Sequence, residues 1–334
     1  MKSINDYKGG PSTLCTGCGH DSVTQHITKA FFEAGVDPST VAKISGIGCS
    51  SKTTAYFMNT AHGFNSIHGR MASIATGAKL ANRNLLMIGI SGDGDTASIG
   101  LSGFIHLIRR NLPMIYIVEN NGVYGLTKGQ FSATADKDVP FKRANKQNQF
   151  QNLDVCQLAI DTGCEFVARS FSGDGKQLVP LIKAAIFHPG TAVIDVVSPC
   201  ITYANHDGST KSYDYVKEHN VRLQEFGLIL EHSPITADYE EGESIEISLS
   251  DGARIRLKKP LPNELDIQSR RSALNALADA REQGQILTGL LYCSPRSEPL
   301  TEVLKLPKTP LRDLNREQLA PSSQAFEHIL NHFR

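Results

Sequence analysis

Residues 85–125 read LLMIGISGDGDTASIGLSGFIHLIRRNLPMIYIVENNGVYG. An apolar run, Leu85–Ser91, stops at Gly92-Asp93-Gly94-Asp95. Across Thr96–Arg110, Ala97, Leu101, Phe104, Ile105 and Ile108 recur at helical spacing, and Arg109 and Arg110 end the segment near solvent. A second apolar run, Met114–Glu119, ends at Asn120-Asn121-Gly122-Val123-Tyr124-Gly125. Strand, helix and strand in this order predict a βαβ unit whose two strand ends lie side by side, where open α/β sheets bind ligands. The glycines let backbone approach a phosphate, and the helix start offers unpaired N–H groups to an anion. Asp93 and Asn121 are then expected to share one hard cation, of the kind that neutralises a diphosphate. The competing reading is a pair of turns, since Gly, Asp and Asn favour turns everywhere. Gly173-Asp174-Gly175 repeats the tripeptide without an Asn pair and is read as a turn.

Outward from this unit the same alternation continues. Strands are predicted at Val41–Ser45, Cys164–Arg169 and Thr191–Val197, and helices at Val23–Ala34, Arg70–Asn82, Leu153–Thr162 and Gln177–His188. The alternation predicts an α/β fold, a mostly parallel sheet with helices on both faces. After Cys200 the pattern changes. Ile201–Glu218 reads as loop, Glu243–Ser248 and Ala253–Leu257 as a hairpin around Asp251-Gly252, and Ser272–Glu282 as a helix. An apolar Ile286–Cys293 run and a Pro-rich tail follow. The expected division is therefore an α/β domain over 1–210 and a C-terminal extension over 211–334, an appendage suited to wrapping a neighbour.

Composition excludes several classes. The 334 residues carry 34 Lys+Arg against 34 Asp+Glu, so bulk charge gives no reason to expect nucleic acid or an anionic membrane as partner. No apolar run approaches the roughly 20 residues of a membrane span. Met1–Pro11 is polar, unlike a secretory leader, so a cytoplasmic location is the expectation. Seven cysteines are many for that setting, where thiols stay reduced, and some are expected to bind something.

Cys15-Thr16-Gly17-Cys18 alone is compatible with a zinc half-site, a redox dithiol or half an iron–sulfur site. No apolar strand precedes it, which weakens the dithiol reading. Cys49, in Gly46-Ile47-Gly48-Cys49-Ser50-Ser51-Lys52, and Cys200, after Ser198-Pro199, both follow predicted strands and fall at the same sheet edge as Asp93. Cys156, Cys164 and Cys293 sit inside element patterns and read as buried structural thiols.

Gly92-Asp93-Gly94 followed, one helix and one strand later, by Asn120-Asn121 resembles the signature of thiamine-diphosphate enzymes. The ordered set LCTGCGH, SGIGCSSK, HGRM, GDGD, NNGVYGLTKGQ and SPC is similar to the β subunits of 2-oxoacid:ferredoxin oxidoreductases, over roughly residues 10–210. The resemblance implies Mg²⁺ held by Asp93, Asn121 and the main-chain carbonyl of Val123. It also implies a [4Fe–4S] cluster on Cys15, Cys18, Cys49 and Cys200, with zinc as the alternative. Thiamine diphosphate contacts are implied for Ile47, Gly48, Cys49, Ser50, His68, Gly94, Asp95, Gly125 and Leu126.

Implied, too, is CoA-dependent oxidative decarboxylation of a 2-oxo acid, with electrons passed to ferredoxin. The wording of the loops favours 2-oxoglutarate over pyruvate or branched-chain and indole 2-oxo acids. Lys52 and Lys128 follow the cofactor loops, where a cation suits a substrate carboxylate or the diphosphate. The single α/β domain, with no Glu-bearing strand end placed to serve the aminopyrimidine, implies a larger α subunit that supplies this Glu, in an α₂β₂ assembly. Two other classes compete: a non-oxidative thiamine decarboxylase, which needs no cluster cysteines, and a zinc-stabilised interaction protein.

Overall fold

A computed structural model of the chain describes residues 2–137, 140–141, 146–200, 237–248, 254–261, 264–294 and 297–334. The expected 201–218 loop, the turn at 251–252 and the expected domain boundary at 210 lie outside the described residues. The sheet that dominates the fold has seven strands. In chain order its first four are β1 (Val41–Ser45), β2 (His62–Asn65), β3 (Leu86–Gly92) and β4 (Met114–Asn120). A small antiparallel pair, β5 (Val123–Tyr124) and β6 (Gln130–Phe131), follows as a separate ribbon. Then come β7 (Phe166–Phe171) and β8 (Thr191–Val197), a hairpin of β9 (Ser244–Ser248) and β10 (Arg254–Lys258), and finally β11 (Ile286–Leu287) and β12 (Gly289–Cys293).

Across the sheet the order is β12-β7-β8-β4-β3-β1-β2, parallel throughout except for β12, which runs antiparallel to β7. Such a sheet is buried on both faces, and β1, Met114–Glu119 of β4 and β7 are accordingly buried at every position. Helices α1 (Gly19–Glu33) and α5 (Gly175–Phe187) cover one face, with Val23, Ile27, Phe31, Leu178 and Ile182 in one apolar cluster. The opposite cluster draws Met71 from α2 (Met71–Ala81), Phe104 and Leu107 from α3 (Leu101–Arg109), Val155 and Ile160 from α4 (Val155–Asp161), and Leu277 from α6 (Arg270–Glu282). The expected α/β class is the one observed.

Three local differences from the sequence reading have physical causes. The helix expected from Thr96 begins instead as a wide π turn, Gly94–Ile99, in which Gly100 N–H reaches back to Asp95 O at 2.9 Å; such turns cluster at functional sites. The exposed edge strand β2 has no apolar alternation to announce it. The C-terminal residues are not only an appendage: β12 completes the sheet beside β7, and α6 packs into the core. By contrast every residue from Arg316 on, including the helix α7 (Ser323–His332), is exposed. Among the described residues no helix is long and apolar enough to cross a membrane.

Candidate active site

The loops after β1, β3 and β4 meet at one rim of the sheet and border an open cleft. It is lined by Ile47, Gly48, Cys49 and Ser50 from the first loop, Gly92–Asp95 from the second, and Asn121 and Val123–Thr127 from the third, with His68 at one side. The sequence-derived metal positions Asp93, Asn121 and Val123 and all nine cofactor positions therefore face a single cavity.

Asp93 follows β3 directly and is 1% exposed. Its Oδ1 accepts the Asn121 N–H at 3.3 Å, across adjacent strand ends. Its Oδ2 accepts from the hydroxyls of Ser132 and Thr134, the latter at 2.6 Å. Burial raises the Asp93 carboxyl above its usual range, against the pull of these donors. Asn121 Oδ1 in turn accepts the Val123 N–H at 3.1 Å, which fixes the Asn121 side chain within the third loop. Oxygen donors around a buried carboxylate are the set that a hard divalent cation takes.

Close packing of the loops depends on missing side chains. A Cβ on Gly94 would lie 2.5 Å from the Tyr124 ring, whose hydroxyl donates to Gly94 O at 3.0 Å. The second glycine of the motif thus admits Tyr124. Asp95 is also buried, and its Oδ1 accepts from His68 Nδ1 and from Gly69 N–H (2.7 Å) while Oδ2 accepts from Ser91 (2.8 Å). It ties the HGRM loop to the end of β3.

Backbone contacts bring together the segments that carry Cys15, Cys18 and Cys200. Gly19 N–H points to Pro199 O at 3.4 Å, and a Cβ on Gly19 would lie 2.6 Å from Ser198 Oγ. This close approach brings the start of α1, next to Cys18, against the segment carrying Cys200. The Cys18 thiol is pushed well up, first by burial and then by Cys200, Glu119 and Cys15; burial and Cys200 likewise raise Cys49. Cys18 N–H also bonds Cys15 O at 2.9 Å, and of the four cysteines Cys49 alone lines the cleft. None is disulfide-bonded. No trio of His, Cys, Asp or Glu among the described residues is arranged as a ready metal cage. Cys156 and Cys164 are buried, and burial pushes Cys164 up to about 12, as expected of structural thiols, whereas Cys293, expected to be buried with them, is only half-buried at the end of the edge strand β12.

Lys52 and Lys128 do not line the cleft, although Ser50 and Thr127, one or two residues before them, do. Lys128 holds a left-handed backbone (φ 76°), a strained state for a residue with a side chain.

Several cleft residues escaped the sequence reading. Glu119, expected only as the end of an apolar strand, lines the cleft as well. It is wholly buried, receives the Thr53 hydroxyl at 3.1 Å, and has its pKa raised well above the usual range by burial. The lone charge closing MIYIVE was the available signal. His20, 3.7 Å from Glu119, bonds Ser198 Oγ at 2.7 Å, and burial lowers its pKa to about 4.

Fold and cleft together define a thiamine-diphosphate-binding domain: residues 46–196 match the family model of the thiamine pyrophosphate enzyme C-terminal TPP binding domain. The chain is 38% identical over 256 residues to a 2-oxoacid:ferredoxin oxidoreductase subunit beta of Sulfolobus sp, covering 75% of this chain and 82% of that one. It is 37% identical over 218 residues to the 2-oxoglutarate synthase subunit KorB of Methanocaldococcus jannaschii, covering 64% and 80%. Among solved structures, a 2-oxoglutarate:ferredoxin oxidoreductase from Magnetococcus marinus, with 2-oxoglutarate, coenzyme A and succinyl-CoA bound, is similar with TM-score 0.74 and 27% identity over 100% of this chain and 96% of that one. The chain belongs to the β-subunit family of the 2-oxoacid:ferredoxin oxidoreductases, and is thus a subunit of an oxidoreductase.

Proposed function

We propose that Asp93, Asn121 and the Val123 carbonyl hold Mg²⁺ against thiamine diphosphate, while Cys15, Cys18, Cys49 and Cys200 hold a [4Fe–4S] cluster. The observation that carries the reading is that the three oxygen donors and the Cys49 loop line the same cleft. Donor chemistry supports each assignment, since carboxylate and carbonyl oxygens suit Mg²⁺ and thiolates suit iron. When bound, thiamine diphosphate supplies the electron sink that lets a 2-oxo acid lose CO₂, and a neighbouring cluster takes up the electrons.

The chain's own residues hold and orient. Ile47, Gly48, Cys49, Ser50, Gly94, Gly125 and Leu126 contact the cofactor. Asp95 fixes His68 through Nδ1 and leaves Nε2 for the cleft. Lys52 and Lys128 flank the cleft without lining it, and their long side chains reach toward the substrate carboxylate or the diphosphate once a ligand is bound. A larger α subunit supplies the Glu that faces the aminopyrimidine, in an α₂β₂ assembly. The substrate is 2-oxoglutarate, with coenzyme A as acyl acceptor and ferredoxin as electron acceptor. The names of relatives favour this choice over pyruvate.

The test is to co-express the chain with its α partner and follow CoA-dependent reduction of a viologen dye with several 2-oxo acids. 2-Oxoglutarate should give the highest kcat/KM and the β chain alone none. Turnover by the single chain, or no turnover of any 2-oxo acid by the complex, overturns the reading. Lys52→Ala should raise KM for the 2-oxo acid or lower kcat while the cofactor still binds; unchanged kinetics would remove Lys52 from the site.

A further inference from the structure

The loop after β6 does something no motif announces. Ser132 and Thr134, both buried, direct their hydroxyls at the same oxygen of Asp93, Oδ2. Among the described residues, the side chain's opposite oxygen, Oδ1, is reached from the third loop by a long bond, the Asn121 N–H at 3.3 Å. A carboxylate with one oxygen saturated by two hydroxyl donors has its remaining lone pairs concentrated on the other. We infer that Ser132 and Thr134 are positioning residues that select Oδ1 of Asp93 as the cation ligand and fix its direction; this rests on the Mg²⁺ reading above.

The clamp is itself anchored. Ser132 N–H bonds Gly122 O at 3.0 Å, so the loop is tied to the turn that follows Asn121. Thr134 Oγ1 lies 3.0 Å from both Ser132 Oγ and Asn120 Oδ1, so its one proton is shared between Asp93 and Asn120 as a three-centre bond. Asn120 donates its amide to Asp195 at 3.0 Å, and Asp195 accepts from Arg169 Nε at 2.9 Å. Arg169 reaches on to Asp154 at 2.6 Å, at the start of α4. The two asparagines of the pair therefore divide the work: Asn121 lines the cleft, and Asn120 joins the clamp to a buried ion network beneath β4, β8 and β7. A ligand held through such partners keeps its geometry when the cation leaves, and losing them typically costs about 10- to 100-fold in metal affinity.

The experiment uses the complex with the α subunit and reads Mn²⁺ binding in the presence of thiamine diphosphate by electron paramagnetic resonance of the free ion, not activity. Thr134→Val keeps the shape and removes the hydroxyl, Thr134→Ser keeps the hydroxyl, and Ser132→Ala with Thr134→Val removes both donors. The double variant should weaken Mn²⁺ about 10- to 100-fold with an unfolding midpoint close to wild type, and Thr134→Ser should bind as wild type does. Asp93→Asn separates the two layers of argument. If Asp93→Asn abolishes Mn²⁺ binding while the double variant binds normally, the clamp is wrong and the metal assignment stands. If Asp93→Asn itself binds Mn²⁺ normally, both fall.

Discussion

The tripeptide Gly-Asp-Gly occurs twice, and the two copies have opposite fates. Gly92-Asp93-Gly94 and Gly173-Asp174-Gly175 each follow a parallel strand and precede a helix, and each aspartate is buried. Asp174 is a helix cap: its Oδ1 accepts the Gln177 N–H at 3.1 Å at the start of α5. Its other oxygen makes no aligned hydrogen bond and instead faces Lys259 Nζ at 2.9 Å, just past β10 in the C-terminal extension. Among the described residues Asp93 meets no such cation. It faces two hydroxyls, an amide N–H and an open cleft. The lesson is that the tripeptide specifies a buried carboxylate at a strand end, while its neighbours decide whether that charge is neutralised by the protein or kept for a ligand.

The largest way to sharpen this contrast is Asp93→Ala. It should abolish cofactor retention and turnover, exceeding the roughly 100-fold cost of losing a supporting partner, with little change in thermal unfolding. Normal retention of thiamine diphosphate would make the two copies equivalent. Asp174→Ala should do the reverse: it removes the cap and strands Lys259, costing about 2–4 kcal/mol in a denaturant titration while Mg²⁺ affinity stays unchanged. Lys259→Met in the Asp174→Asn background should add less than it does alone, because the two share one interaction. Full additivity would break the pairing.

A smaller effect concerns pH. Burial raises the Asp93 pKa above 3.8 in the metal-free chain, so its contribution to stability is present in acid and lost as pH rises through the raised value. Metal-free wild type should therefore lose stability relative to Asp93→Asn on going from acid to neutral pH. Mg²⁺ with thiamine diphosphate should reverse the trend, because the cation favours the ionised carboxylate. A pH-independent difference between the two proteins would contradict this.

Much of this was legible in the sequence for identifiable reasons. Val41–Ser45 and Thr191–Val197 are strands to the residue, since short β-branched runs bounded by polar residues leave no helical alternative. The Gly-Asp-Gly and Asn pair could be placed because a βαβ unit forces its strand ends together. The edge strand His62–Asn65 could not be, being exposed throughout. Nor could the pairing of Gly289–Cys293 with β7, which depends on a contact more than a hundred residues away in sequence. Ser132 and Thr134 were invisible for a different reason: hydroxyls in a polar loop have no periodicity, and their partner is known only once the fold brings Asp93 to them.

The decisive measurement is metal, sulfide and thiamine content of the chain purified anaerobically with its α partner. A rim carrying both groups predicts one thiamine diphosphate, one Mg²⁺, and about four irons with about four sulfides per chain, the composition of a single cubane cluster. Stoichiometric zinc without sulfide, or iron and sulfide that persist when Cys15, Cys18, Cys49 and Cys200 are all replaced by serine, would contradict the account.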